Sequence, residues 1–180
     1  MIININELTN FKSDHSYKAE IAIMNAICFM YDLLPGSVTT GNFAPYDFSI
    51  NDKTFELKIS SKGTSNGVIE LSKADGRPGG LSATEADYHI FLNPAGGNIA
   101  KLRIIPTYEL IAYYNTNTGT SFKTDTVGDK IGSVLAPLNF RNFNDLMVGE
   151  CSCDFKSKTF NTHTFKSNSF AQSKIEYLFR

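Results

Sequence analysis

The chain has 180 residues, of which 42% are hydrophobic and 19% charged, a composition typical of one globular domain with a full core. Its 17 basic and 18 acidic side chains give a net charge of −1, which argues against a protein that binds nucleic acid through overall charge alone. No apolar run suits a membrane span and no basic-then-apolar start suggests secretion, so we expect a cytoplasmic protein without a membrane partner.

The first predicted element is a long helix that begins at the N-cap pair Ser13-Asp14 and ends at Leu34-Pro35-Gly36. Glu20 heads an apolar stripe whose members follow at i+3, i+4, i+7 and i+11: Ile23, Met24, Ile27 and Tyr31. A carboxylate in such a position needs a partner. Three explanations remain open, because Glu20 could reach water, pair with a lysine or join a cluster of other acids.

A β-hairpin is predicted next. Residues 54–60 alternate strictly, so that Phe55 and its apolar companions face one way while Glu56, Lys58 and Ser60 face the other. The preceding strand begins at Asp47, and Asn51-Asp52 is a dipeptide typical of a tight turn. The hairpin therefore brings Asp47 close to Glu56.

Two carboxylates beside a lysine suit a hard divalent cation such as Mg²⁺, which prefers carboxylate oxygens and retains waters that a substrate phosphate can complement. Asp47 and Glu56 are the candidate metal ligands, and the backbone carbonyl of Leu57 is a plausible third. Lys58 could hold a phosphate or orient water, so the pattern indicates metal-assisted phosphodiester hydrolysis. The alternative is a solvated hairpin face with a Glu–Lys pair that contributes about 0.2–1 kcal/mol.

Further along, the pattern predicts two buried strands, a short helix, a polar loop, another strand and a second helix. These segments are, in order, residues 86–93, 99–105, 106–114, 115–125, 128–138 and 139–148. Beyond Glu150, phenylalanines recur every five residues and are interpreted as core anchors rather than as a platform for stacking bases.

These features resemble the PD-(D/E)XK nuclease superfamily. The resemblance lies in an acidic residue in the first helix, Pro45-Tyr46-Asp47, and Glu56-Leu57-Lys58, with the proline one residue further from the aspartate than in the commonest form. The segment from Arg77 to Phe91 looks like a block found in phage and bacterial members. The resemblance implies an α/β fold, a restriction endonuclease-like αβββαβ core with a mixed central sheet flanked by helices. It predicts one domain over 1–180, with a core of about 14–138 and an extension, 139–180, packed on it.

The resemblance also implies an activity, namely Mg²⁺-dependent endonucleolytic cleavage of DNA, with Mn²⁺ as an expected substitute. Asp47 and Glu56 would bind the metal together with Leu57, Lys58 would position or activate water, and Glu20 would assist. Four residues that follow the catalytic pair of Glu56 and Lys58 are candidates for contacts with nucleic acid: Ser60, Lys62, Lys73 and Arg77.

Two rival functions remain open. The first is a nuclease-like module that binds DNA or serves a structural role without catalysis; the intact acids and lysine argue against it. The second, less favoured, is a two-carboxylate glycoside hydrolase, which predicts metal independence and an aromatic cleft, although the chain has no tryptophan. Whether the protein forms a homodimer is left open by the sequence.

Overall fold

A computed structural model describes residues 2–4, 14–39, 45–59, 67–94, 99–117, 119, 121–124, 131–143, 146–154 and 159–167. They form a mixed α/β structure with two α-helices, α1 (Asp14–Tyr31) and α2 (Thr107–Thr116). The ten strands described are β1 Ile2–Asn4, β2 Phe48–Ile50, β3 Lys53–Ile59, β4 Gly67–Lys73, β5 Tyr88–Pro94, β6 Ile99–Pro106, β7 Phe122–Lys123, β8 Ser133–Leu138, β9 Leu146–Asp154 and β10 Thr159–Ser167. No helix among these residues is both long and apolar enough to cross a membrane.

Seven strands form the main sheet, in the order β1-β10-β9-β6-β5-β3-β2. The neighbours β3 and β5 are parallel and the other described pairs are antiparallel, so the sheet is mixed as expected. The connection between the two parallel strands contains β4 and a 3-10 helix, Gly80–Ser82. Strand β4 belongs to a separate three-stranded sheet, β4-β8-β7.

Helix α1 covers one face of the main sheet. Its stripe packs on alternate residues of the central strands, and the apolar cluster so formed includes Ile23, Ile27, Phe48, Phe55 and Ile90. The helix is shorter than predicted because Asp32 adopts a left-handed conformation with φ of 52°. The N–H of Leu33 then bonds to the carbonyl of Cys28 at 2.9 Å, a Schellman-type helix end.

A second apolar cluster covers the opposite face. It joins side chains of the main sheet, α2, the small sheet and the 3-10 helices: Ile69, Leu81, Phe91, Ile105, Leu110, Tyr114, Ala136, Leu138, Phe140 and Phe143. The central strands of the main sheet, β3, β5 and β6, therefore lie between two apolar layers. Such burial of a sheet on both faces is the usual condition for a parallel strand pair.

The predicted hairpin is confirmed. Phe48 pairs with Phe55 and Ile50 with Lys53, and Asn51 and Asp52 both have positive φ, at 47° and 60°. Two consecutive left-handed residues define the type I′ geometry that matches the twist of a hairpin.

The predicted helix over residues 139–148 is wrong. A 3-10 helix, Phe140–Asn142, and the start of β9 at Leu146 occupy this segment. The Asn139 side chain accepts a hydrogen bond from the N–H of Arg141 and so caps the short helix. Strand β9 then pairs with β6 inside the main sheet. The polar segment 115–125 is also more ordered than a loop, because α2 runs to Thr116 and β7 lies within it.

Replacing Gly80 by alanine tests the close approach of the 3-10 helix to β4. Gly80 has φ of +53°, and an added Cβ would lie 2.2 Å from the carbonyl oxygen of Glu70. We expect Gly80→Ala to lower the free energy of unfolding by about 3 kcal/mol or more, measured by urea denaturation. Gly76 is the matched control, since its φ is +88° but no atom lies within 4 Å of the added Cβ. Gly76→Ala should cost only about 1 kcal/mol. Equal losses would contradict the proposed contact.

Candidate functional site

The site begins where β2 stops pairing with β3. Just before β2, and outside the register that ends with Phe48 and Phe55, the N–H of Asp47 donates to the carbonyl of Phe55 at 2.8 Å. Further along β3, Oδ2 of Asp47 accepts a hydrogen bond from the N–H of Leu57 at 2.6 Å. The Asp47 side chain thus takes the place that a backbone carbonyl of β2 would occupy if that strand continued. The C=O of a strand residue points to the same side as its N–H. The carbonyl of Leu57 is therefore directed to the edge of β3 where Asp47 lies.

Glu56 and Lys58 lie on the face of β3 opposite α1. They alternate with Phe55, which is fully buried against that helix. The ammonium of Lys58 forms an ion pair with Oε1 of Glu56, and the two side chains are 33% and 18% exposed. The pair is thus half-buried yet open to an approaching molecule.

Burial and the neighbouring charge of Glu56 both oppose the ionisation of Asp47. Burial raises the pKa of Asp47, Glu56 raises it further, and the Leu57 N–H and Lys58 only partly offset them, so the pKa is about 6 instead of 3.8. Burial lowers the pKa of Lys58, but Glu56, Asp47 and Glu70 outweigh it and leave the pKa above its ordinary 10.5. Asp47 and Glu56 are therefore close enough to act on each other and on the same ammonium group.

The parallel neighbour β5 brings His89 beside this group. His89 is opposite Glu56 in register and Phe91 is opposite Lys58. The His89 ring is buried, and its Nδ1 lies 2.9 Å from Oγ1 of Thr107, the first residue of α2. Burial and the charge of Lys58 lower the pKa of His89 to about 3, so the ring is neutral. It provides an uncharged wall beside the ion pair.

The other predicted residues are placed as follows. Glu20 is half-buried on α1, the helix that packs on the apolar face of the hairpin strands. Lys73 pairs with Glu70, and exposed Arg77 pairs with Asp75, whose Oδ2 lies 2.7 Å from Nε. Ser60 and Lys62 lie outside the described residues.

Two members of this region were not predicted, namely His89 and Glu70. Both come close to Lys58 only through tertiary structure, His89 by parallel pairing with β3 and Glu70 from the separate sheet. Residues three apart on a strand ordinarily face opposite sides, so the spacing of Glu70 and Lys73 did not signal their ion pair. The irregularity of β4 between Glu70 and Ser72 changes this alternation.

The donor set fits a divalent cation of the Mg²⁺ class. Among the described residues no group of three or more His, Cys, Asp or Glu side chains is placed to hold a metal. Two carboxylates and a backbone carbonyl, with waters, are nevertheless a common ligand set for Mg²⁺. One oxygen of each carboxylate makes the bonds described above, and each has a second oxygen. A cation would also offset the burial and the repulsion by Glu56 that together raise the pKa of Asp47.

Comparison with protein-family models, with curated proteins and with solved structures finds no match to this chain.

The strain on Asp47 predicts how stability depends on pH in the absence of metal. Because the pKa of Asp47 is about 6 in the folded protein and about 3.8 when unfolded, the folded state binds this proton more tightly. The unfolding free energy should therefore fall as pH rises from about 4 to about 6, and remain lower above that range.

Asp47→Asn removes this penalty while its amide oxygen can still accept the Leu57 N–H. We expect the variant to be more stable than the wild type by about 1–3 kcal/mol at pH 7 with chelator, and nearly equal at pH 4. Urea denaturation across this range gives the difference. Glu85→Gln, at an exposed position, is the control and should show no comparable trend. A pH-independent difference, or a less stable Asn variant at pH 7, would contradict the assigned burial and repulsion.

Proposed function

We propose that this protein is a Mg²⁺-dependent nuclease that hydrolyses phosphodiester bonds. The observation that carries the proposal is the convergence of Asp47, Glu56 and Lys58 at the end of the β2–β3 ladder. Two adjacent carboxylates suit a divalent cation, and an ammonium beside them suits the phosphate that the cation would engage. DNA as the substrate is favoured by the resemblance to the PD-(D/E)XK superfamily.

The order of elements supports the same proposal. A helix precedes the hairpin that bears the acids, and the strand with Glu56-Leu57-Lys58 has a parallel neighbour, β5. These features suit a restriction endonuclease-like core. The crossover through β4 and a 3-10 helix would be a local departure from the helix expected in an αβββαβ arrangement.

Asp47, Glu56 and the carbonyl of Leu57 would hold the cation. When bound, Mg²⁺ supplies a Lewis acid that offsets the charge developing on the phosphate oxygens. Lys58 donates hydrogen bonds to the phosphate or to the attacking water, because its ammonium is paired with a carboxylate and carries a proton. The water oxygen would bond to phosphorus as the bond to the leaving oxygen breaks. The attacking water would release one proton to bulk water, and the leaving oxygen would take up one proton from bulk water, so that the step balances.

The residues around this centre would have supporting roles. The neutral His89 and the aromatic ring of Phe91 limit the water that surrounds Lys58 from the β5 side. Glu20 belongs to α1, which covers the face of β3 opposite Glu56 and Lys58, so it would assist through a water or a second cation at the edge of β3 beside Asp47. Lys73 and Arg77, with Ser60 and Lys62, would contact phosphates away from the scissile bond.

A nuclease-like module without catalysis is the second candidate. It would keep the fold and bind DNA. It gives no reason, however, for a buried Asp47 carboxylate beside Glu56, an arrangement that costs stability in the absence of a cation. A glycoside hydrolase that uses the same two acids would work without metal. Sensitivity to a chelator separates that function from the nuclease.

Cleavage assays test the proposed activity. Incubation of supercoiled, linear and branched DNA with Mg²⁺ or Mn²⁺ should give nicked or shortened products, and excess chelator should abolish them. Asp47→Ala and Lys58→Ala should each lower the rate by about a hundredfold or more, because each removes a charge from the reacting centre. Lys123→Ala, an exposed lysine on β7, is the control and should cleave like the wild type. Cleavage that survives both site substitutions, or that persists in chelator, would contradict the mechanism.

A further inference from the structure

A second acid–base pair borders the site. Nζ of Lys73 lies 2.5 Å from Oε1 of Glu70, and their side chains are 37% and 26% exposed. Both belong to β4 in the small sheet, whereas Lys58 belongs to the main sheet. Glu70 is nevertheless near enough to act electrostatically on the ammonium of Lys58. Ile69, the residue before Glu70, packs in the same apolar cluster as Phe91, which is the register partner of Lys58. Strand β4 therefore lies over the face of the main sheet that carries Lys58, and the Glu70–Lys73 pair is partly exposed there.

Two consecutive glycines lie directly against this pair. A Cβ on Gly79 would be 2.8 Å from Cε of Lys73 and 3.0 Å from its Cγ. A Cβ on Gly80 would be 2.2 Å from the carbonyl oxygen of Glu70 and 2.7 Å from its Cβ. An ordinary surface ion pair requires no such close packing of backbone. Gly79 therefore packs against the stem of Lys73, and Gly80 packs against the backbone of Glu70.

The charges near Lys58 do not favour a phosphate on their own. Asp47, Glu56 and Glu70 supply three carboxylates, and Lys58 and Lys73 supply two ammonium groups, which leaves one negative charge in excess at neutral pH. A divalent cation would reverse the sign of this excess. Lys73 in addition has to leave Glu70 before it can pair with a phosphate.

We propose that Glu70 is an electrostatic gate for nucleic acid. It holds Lys73 until a phosphate adjacent to the scissile one takes its place, and it keeps the site unfavourable to DNA until a divalent cation is bound. Glu70 acts through Lys73 and touches no reacting atom, so it is a positioning residue. This inference rests on the proposed nuclease function and adds a regulatory step to it.

Binding of a short fluorescent DNA duplex, followed by anisotropy, tests the gate separately from cleavage. The duplex is titrated with each protein twice, once in a buffer with Ca²⁺ and once in a buffer with EDTA. Ca²⁺ replaces Mg²⁺ because it also prefers oxygen ligands. The wild type should bind much more tightly with Ca²⁺. Glu70→Gln, which keeps the shape but loses the charge, should bind about fivefold more tightly than the wild type in EDTA and show a smaller effect of Ca²⁺.

Two further variants make this result specific. Glu70→Gln with Lys73→Met should lose the gain in affinity, because the ammonium released by the first change is absent. Glu109→Gln makes the same change of net charge on α2 and should leave the response to Ca²⁺ unchanged. Thermal unfolding of every variant confirms that each is folded; the pair is partly exposed, so small shifts are expected.

The outcomes distinguish this inference from the function on which it rests. If Glu70→Gln binds no better than the wild type in EDTA, or no better than Glu109→Gln, the gate is overturned even where Mg²⁺-dependent cleavage is observed. If the gain survives removal of the Lys73 ammonium, the gate is also overturned, because Lys73 would not be the residue released. A wild type that neither binds nor cleaves DNA would overturn the proposed function and the gate together.

Discussion

The hydrogen bond from the N–H of Leu57 to Oδ2 of Asp47 determines the geometry of the candidate site. It forms where the β2–β3 ladder ends, so a carboxylate takes the place of a backbone carbonyl on the edge of β3. Asp47 is thereby held beside Glu56 in spite of their like charges. An edge strand with a single unpaired N–H would otherwise bond to water at little cost. Here the hydrogen bond instead holds the Asp47 carboxylate against β3, the strand that also carries Lys58.

The two faces of β3 make this position tolerable. Phe55 and its apolar neighbours anchor the strand against α1, and Phe91 belongs to the cluster on the opposite face. The charged residues occupy the border of that second cluster, where Lys58 remains one-third exposed. Burial strengthens the electrostatic interactions among these groups, while the opening allows a cation and a phosphate to enter. The fold thus maintains a strained carboxylate that a cation would relieve.

Local sequence patterns predicted the parts of the fold that depend on neighbouring residues. The alternation around Phe55, the Asn51-Asp52 turn and the stripe of α1 are all present in the structure. The segment after Leu138 was misjudged because its apolar residues suit a helix as well as a buried strand, and pairing with β6 decides between them. Tertiary pairing of this kind leaves no mark on a single sequence.

The same limit applies to the candidate site. Asp47, Glu56 and Lys58 could be grouped from the hairpin alone, because two short strands and their turn bring them together. His89 and Glu70 could not, since they reach Lys58 through a parallel strand and a second sheet. Glu20 is half-buried on α1, and its part in catalysis stays a prediction.

Binding of Mn²⁺ tests whether Asp47 and Glu56 hold a cation, because this paramagnetic ion broadens the NMR signals of nearby amides. We expect saturable binding to the wild type with selective loss of the Glu56, Leu57 and Lys58 amide signals, and weak binding to Asp47→Asn and Glu56→Gln. Equal binding to the wild type and both variants, or broadening centred on another part of the chain, would contradict the assignment of Asp47 and Glu56 as the metal-binding pair.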